Sequence, residues 1–204
     1  MPGRLFLMRP LDEIAKWADA DIGGITQPPR ANIAPGQEIV VLHEGQLSLA
    51  RWGIIPVGRK NARGRPVMET IINARSETGF DKAAFDGVGR AVIPCDGWYE
   101  WTGESRRKTA WRIQSKDGAP LAFAAITDRW NGPGGITMDQ VAAVTCAPNG
   151  DVRDIHHRMG VLFEPRDIDT WLHAGPQEAA RLLVPWPDGR LIVECADDVD
   201  WNGA

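Results

Sequence analysis

The 204-residue sequence predicts an α+β fold, a curved and largely antiparallel β-sheet or barrel with short helices at its periphery. Three observations carry this expectation. Hairpin-like apolar runs fill the middle of the chain. The segments with helical spacing lie toward its ends. The strand–helix–strand alternation of a doubly wound parallel sheet is missing. No internal repeat or low-complexity linker divides the chain, so residues 1–204 read as one domain.

In chain order, PLDEIAKWADA (10–20) is the first predicted helix. Pro10 suits a first turn, and Leu11, Ile14, Trp17 and Ala18 recur at helical spacing. DIGGITQPPRANIAPGQ, rich in Gly and Pro, reads as loop. EIVVL and LSLARW are predicted strands joined by the turn HEGQ. PVGRKNARGRP reads as a long basic loop, ETIINARSE as the start of a strand, and GFDKAAF as a short helix. RAVIPCDGWYEW is two extended stretches broken at PCDG, and a turn near GESRR leads to the strands KTAWRIQ and PLAFAAITDRW. After the GPGG loop, QVAAVTCA is an apolar strand. PRDIDTWLHAG and PQEAARLL are helices each led by proline, and RLIVEC is the last strand before a polar tail.

With 43% hydrophobic and 25% charged residues, a core can form without disulfide or metal support. No apolar run is long enough to cross a bilayer, and the first residues lack the order of a secretory signal, so an intracellular protein is expected. Cys95, Cys146 and Cys195 form no CxxC pair; buried, inert thiols are expected. The net charge of −4 argues against a strong, salt-driven grip on long nucleic acid. The charge is uneven, however. Arg51, Arg59, Lys60, Arg63, Arg65 and Arg75 cluster in sequence, and the acidic residues Asp188, Glu194, Asp197, Asp198 and Asp200 gather at the end. The cluster is either a solvated loop or a face for a phosphate backbone.

Four stretches can carry chemistry. Pro2 would present a secondary amine if Met1 were removed, and such an amine attacks aldehydes. In GWYEW (97–101), strand alternation puts Trp98 and Glu100 on one face and Tyr99 and Trp101 on the other. A carboxylate beside aromatic rings is partly desolvated and useful in proton transfer, although an edge glutamate facing water fits the same pattern. In INARSE (72–77), Asn73 and Arg75 share a face and suit an anionic, oxygen-rich ligand such as a sugar-phosphate, or merely close off a strand end. In DIHHRMG (154–160), the adjacent histidines make a poor metal pair; one imidazole suits acid–base work and Arg158 a phosphate. His43 and His173 read as surface residues. No nucleotide-binding loop, metal signature or nucleophile elbow is present, so no cofactor or metal is expected.

The order NIAPGQ, RWGIIP, INARSET, VIPCDGWYEW, IHHRM resembles the SRAP family, named for SOS-response-associated peptidase, from the N-terminus to about residue 172. The resemblance implies the SRAP fold and recognition of abasic sites in single-stranded DNA. Family members lose the initiator Met and capture the abasic-site aldehyde as a thiazolidine on an exposed cysteine. It further implies that Asn73 holds the sugar oxygens and that Glu100 and His156 form the acid–base pair. Arg4 and Arg75 would contact phosphates, and Asn32, Pro35 and Gly36 would line the DNA channel. A cytoplasmic monomer, associated with the nucleoid during DNA damage, is expected.

The sequence departs from the family at Pro2, which replaces the cysteine, and at Gly160, which replaces a proline. Val57, Gly58 and Arg59 stand where tryptophans are usual. Pro2 offers nitrogen without sulfur, so the expected chemistry shifts from a thiazolidine to a transient iminium and β-elimination. The alternatives are a non-covalent module for single-stranded or damaged DNA and a self-processing peptidase.

Overall fold

The structure, a computed structural model, describes residues 2–56, 69–79, 87–104 and 107–201. The predicted short helix GFDKAAF and most of the basic loop after Pro56 lie outside the described residues.

Strand β1 (Arg4–Leu7) leads into helix α1 (Leu11–Ala18). Asp12 and Glu13 in the first turn and Lys16 in the last complement the helix dipole, and Asp19 ends the helix at φ 50°. Ile14 and Ala15 supply its buried face. Strand β2 (Arg30–Ile33) lies within the segment predicted as loop. Four residues with prolines on both sides give too short a pattern to read, and pairing with β1 is what makes the strand. Strands β3 (Glu38–His43) and β4 (Gln46–Trp52) form the predicted hairpin. Its two turn residues, Glu44 at φ 50° and Gly45 at φ 75°, are both left-handed, the geometry that matches strand twist in a two-residue hairpin.

Strand β5 (Asn73–Arg75) runs directly into one turn of helix, α2 (Ser76–Gly79). Strands β6 (Gly89–Cys95), β7 (Gly97–Thr102), β8 (Thr109–Ser115), β9 (Leu121–Asn131) and β10 (Thr137–Cys146) follow. Two-residue strands β11 (Met159–Gly160) and β12 (Leu162–Phe163) precede helices α3 (Pro165–His173) and α4 (Pro176–Ala180), and β13 (Leu191–Cys195) is last. The fold is thus α+β with predominantly antiparallel strands, as expected.

Strand β10 closes a barrel. It pairs antiparallel with β9 and parallel with β4, and β4, β3, β6 and β9 pair in sequence to complete the ring. Alanines at 122, 124, 125, 142 and 143 are all fully buried, and their small side chains let the ring close tightly. A second sheet in the order β13-β8-β7-β1-β2 packs on this barrel. Trp98 of β7 meets Phe123 of β9 edge-on at 5.4 Å between centroids.

The outer face of the second sheet carries a smaller cluster of Phe6, Tyr99, Ala110 and Ala196, with Trp101, Val199 and Trp201 packed against it. The alternation expected in GWYEW is therefore present: Trp98 belongs to the main core, and Tyr99 and Trp101 to the outer cluster. Residues 196–201 of the tail, polar in sequence, lie as a strap over this face. Cys95 and Cys146 are buried, but Cys195 is exposed, because β13 is an edge strand.

Candidate active site at the amino end

Pro2 is buried at the head of β1. The antiparallel register Arg4↔Tyr99 aims the amino end along β7 toward Glu100. Asn73, the first residue of β5, donates its side-chain amide to the Pro2 carbonyl at 3.0 Å. Its other polar atom, Oδ1, is buried and makes no hydrogen bond. Strand β5 is held from two sides: the Trp52 indole donates to the Ile72 carbonyl at 3.0 Å, and the Thr145 hydroxyl to the Ala74 carbonyl at 3.2 Å. Asn73 is therefore a fixed donor to the chain that keeps an unused acceptor oxygen.

Glu100 is 3% exposed. Burial raises its pKa above the ordinary carboxylate range, partly offset by the positive amino terminus and by the Trp98 indole. His156 follows a tight turn, Asn149–Ile155, in which the buried Asn149 accepts from the Val152 amide at 3.2 Å. Burial lowers the pKa of His156, and the same amino terminus lowers it further. Both groups thus lie within electrostatic reach of the amino end, and both are biased toward their neutral forms. A protonated carboxyl and a neutral imidazole make an acid–base pair. The Arg158 amide donates to His156 Nδ1 at 2.9 Å, and the Arg158 carbonyl lies 3.1 Å from that same nitrogen. Either tautomer finds a partner there, so Nε2 can give or take a proton. His157, exposed, stacks on His156 at 4.3 Å.

The remaining candidates are placed as follows. Arg4 donates to Asn32 Oδ1 at 2.7 Å, and Asn32 donates in turn to the Asp200 carbonyl at 3.1 Å. Arg75, at the end of β5, is exposed. Pro35 and Gly36 lie in the turn before β3, where the Gly36 amide donates to the Trp52 carbonyl at 2.7 Å; Gly36 is left-handed at φ 92°. Arg158 stands apart from the phosphate role expected of it. It is 9% exposed, and its guanidinium bonds Glu77 Oε1 and Oε2 at 2.6 and 2.9 Å and the Thr145 carbonyl at 2.5 Å. Burial spends its charge inside the protein.

Glu77, Thr145 and Asn149 support the site but were not singled out in the sequence. Glu77 ends INARSE, two positions beyond Arg75, and its carboxylate was the signal available. Among the described residues no group of three or more His, Cys, Asp or Glu is arranged to hold a metal ion, and no helix is long and apolar enough to cross a membrane. Burial pushes the Cys146 thiol up to about 11 and raises the Cys95 thiol well above its ordinary range, which keeps both protonated and poorly nucleophilic.

The chain is 32% identical over 199 residues to the abasic site processing protein YoaM of Bacillus subtilis, covering 91% of this chain and 86% of that one. It is 31% identical over 150 residues to the abasic site processing protein YedK of Escherichia coli, covering 70% and 64% of the two chains. A crystal structure from Bordetella bronchiseptica superposes with a TM-score of 0.79 at 24% identity, covering 96% of this chain and 99% of the other. The profile of the family described as SOS response associated peptidase (SRAP) matches residues 1–199, and the chain belongs to that family.

Proposed function

We propose that the protein recognises abasic sites in single-stranded DNA at the pocket around Pro2, Asn73, Glu100 and His156. The observation that carries this reading is the Asn73–Pro2 hydrogen bond, which fixes the amino end in a buried site while leaving Asn73 Oδ1 unbonded. The names of the relatives, abasic site processing proteins, support it.

With Met1 removed, the Pro2 amine attacks C1′ of the ring-opened sugar. A carbon–nitrogen bond forms, the oxygen leaves as water with a proton supplied by Glu100 or His156, and an iminium remains. The iminium draws electrons from C2′, whose proton passes to the same pair once deprotonated. The C2′ electron pair forms the C2′=C3′ bond as the C3′–O bond breaks and the 3′ phosphate departs. Water then hydrolyses the iminium and regenerates the amine. Asn73 orients the sugar, and Arg4 and Arg75 meet the flanking phosphates.

A second reading, non-covalent binding of damaged single strands, is favoured by one observation: residue two carries no thiol to close a stable ring. Intact mass before and after incubation with an abasic single-stranded oligonucleotide and borohydride separates the two. A chain lighter by one methionine that gains an adduct on Pro2 supports the lyase. A full-length chain that binds without an adduct supports the second reading. Equal affinity for abasic and undamaged oligonucleotides would overturn both.

A further inference from the structure

We propose that Glu77 is a positioning residue for His156, acting through a clasp with Arg158. Its carboxylate holds the Arg158 guanidinium by two parallel bonds at 2.6 and 2.9 Å. That guanidinium crosses β10, bonding the Thr145 carbonyl at 2.5 Å and hydroxyl at 3.1 Å. The Arg158 main chain in turn holds His156 Nδ1. The contact spans 81 positions of sequence.

Topology explains the purpose. Strand β10 carries β5 in register, Ala143↔Asn73 through Thr145↔Arg75, and carries β11 in register Thr145↔Gly160. Asn73 begins β5, Glu77 lies in the first turn of α2, and His156 lies just before β11. The clasp therefore ties the segment bearing the carboxamide to the segment bearing the imidazole, and Thr145 is the point they share. A bidentate pair resists rotation, so it fixes spacing as well as charge.

Electrostatics adds a second consequence. Burial is the largest influence lowering the His156 pKa; the amino terminus, His157 and Arg158, all positive or potentially positive, lower it further, and only the Arg158 backbone contact raises it. Glu77 is the carboxylate set against the Arg158 charge. The ion pair holds Glu77 itself at about 2, so it stays ionised through the working range of the imidazole. With that carboxylate neutralised, Arg158 acts on His156 uncompensated, and the imidazole titrates at lower pH.

The rate arm of the test rests on the abasic-site reading; the titration arm does not. Glu77→Gln is compared with the full wild-type chain by NMR titration of His156 and by borohydride trapping on an abasic single-stranded oligonucleotide. The expected result is a His156 midpoint displaced to lower pH and trapping slowed by about tenfold to a hundredfold, the scale of a lost alignment, with oligonucleotide binding near wild type. A folded variant with the wild-type midpoint and wild-type rate would overturn the inference. Should the wild type bind or trap nothing, the proposed function fails and the NMR midpoint alone decides the clasp. Should Glu77→Gln not fold, Glu77→Asp replaces it. This variant keeps the charge but is too short for both bonds, so its midpoint stays and its trapping slows; a wild-type rate there overturns the inference.

Discussion

Asn73 donates to the Pro2 carbonyl at 3.0 Å, so a strand from the middle of the chain holds its first residues in place. The bond makes the amino end part of the core architecture instead of a frayed terminus. It also divides the carboxamide into a half bonded to the chain and a half, Oδ1, that is buried and unbonded. Any group bound at Asn73 Oδ1 is thereby referenced to Pro2 through one rigid side chain.

Replacing Asn73 by alanine removes both halves. The lost hydrogen bond predicts destabilisation of about 1 kcal/mol, measurable by urea denaturation. Asn73→Asp predicts a larger loss at neutral pH, since an ionised carboxylate cannot donate to the Pro2 carbonyl and meets its oxygen instead. Both variants should bind an abasic oligonucleotide more weakly, while affinity for an undamaged strand changes little. Equal weakening on both strands would show that Asn73 serves the fold alone.

Glu100→Gln should raise stability and slow turnover together. The folded carboxyl titrates above its ordinary 4.5, so between that value and its raised folded pKa the native state holds a proton that the unfolded chain has released. Stability from this group is complete below 4.5 and is lost as pH rises through the folded value. Glutamine never ionises and escapes the loss. The thermal midpoint of the variant should exceed that of wild type at pH 7 and converge with it in acid. Loss of the proton donor predicts a rate about a hundredfold lower or less, at unchanged affinity. A variant less stable than wild type at pH 7 would contradict the burial argument.

The strands with strong alternation or long apolar runs were legible in the sequence: the β3–β4 hairpin, GWYEW and QVAAVTCA. Their signal comes from side chains and needs no partner. Strands β1 and β2 were not legible because four-residue stretches gain their identity from pairing with each other. Which strands close the barrel was hidden for a related reason: β10 meets β4 in parallel across many intervening residues, and no local pattern records that. At the site, Asn73 and Glu100 carried recognisable chemistry. Arg158 did too, but its burial against Glu77 turned an expected phosphate contact into an internal clasp. A guanidinium looks the same in sequence whether it faces water or a carboxylate.

Arg4 and Arg75 should read differently from Asn73 when salt is varied. Each phosphate contact on a single strand contributes about 0.7 to the slope of log affinity against log salt. Arg75 is exposed, so Arg75→Ala should flatten that slope by one contact with little effect on folding. Arg4 is also bonded to Asn32, so Arg4→Ala should flatten the slope and cost some stability as well. Titrations at several salt concentrations by fluorescence anisotropy measure this directly. Unchanged slopes in both variants would remove them from the phosphate path.

The C-terminal strap gives the last prediction. Trp201 meets Tyr99 at 4.9 Å and Trp101 at 5.1 Å, both edge-on, and covers the outer face of the second sheet. One residue earlier, the Asp200 carbonyl accepts from Asn32, the residue that holds Arg4. Removing the indole exposes two aromatic rings and loosens the main chain that Asn32 binds. Trp201→Ala should therefore cost about 1–3 kcal/mol, from lost ring contacts and buried area together. Asp198→Asn, which breaks the exposed pair with Arg112, should cost much less, because water screens that charge. If the strap also steadies Arg4 through Asn32, Trp201→Ala weakens oligonucleotide binding while Asp198→Asn does not. Urea denaturation and anisotropy on the two variants distinguish a strap that serves the site from one that only covers the sheet.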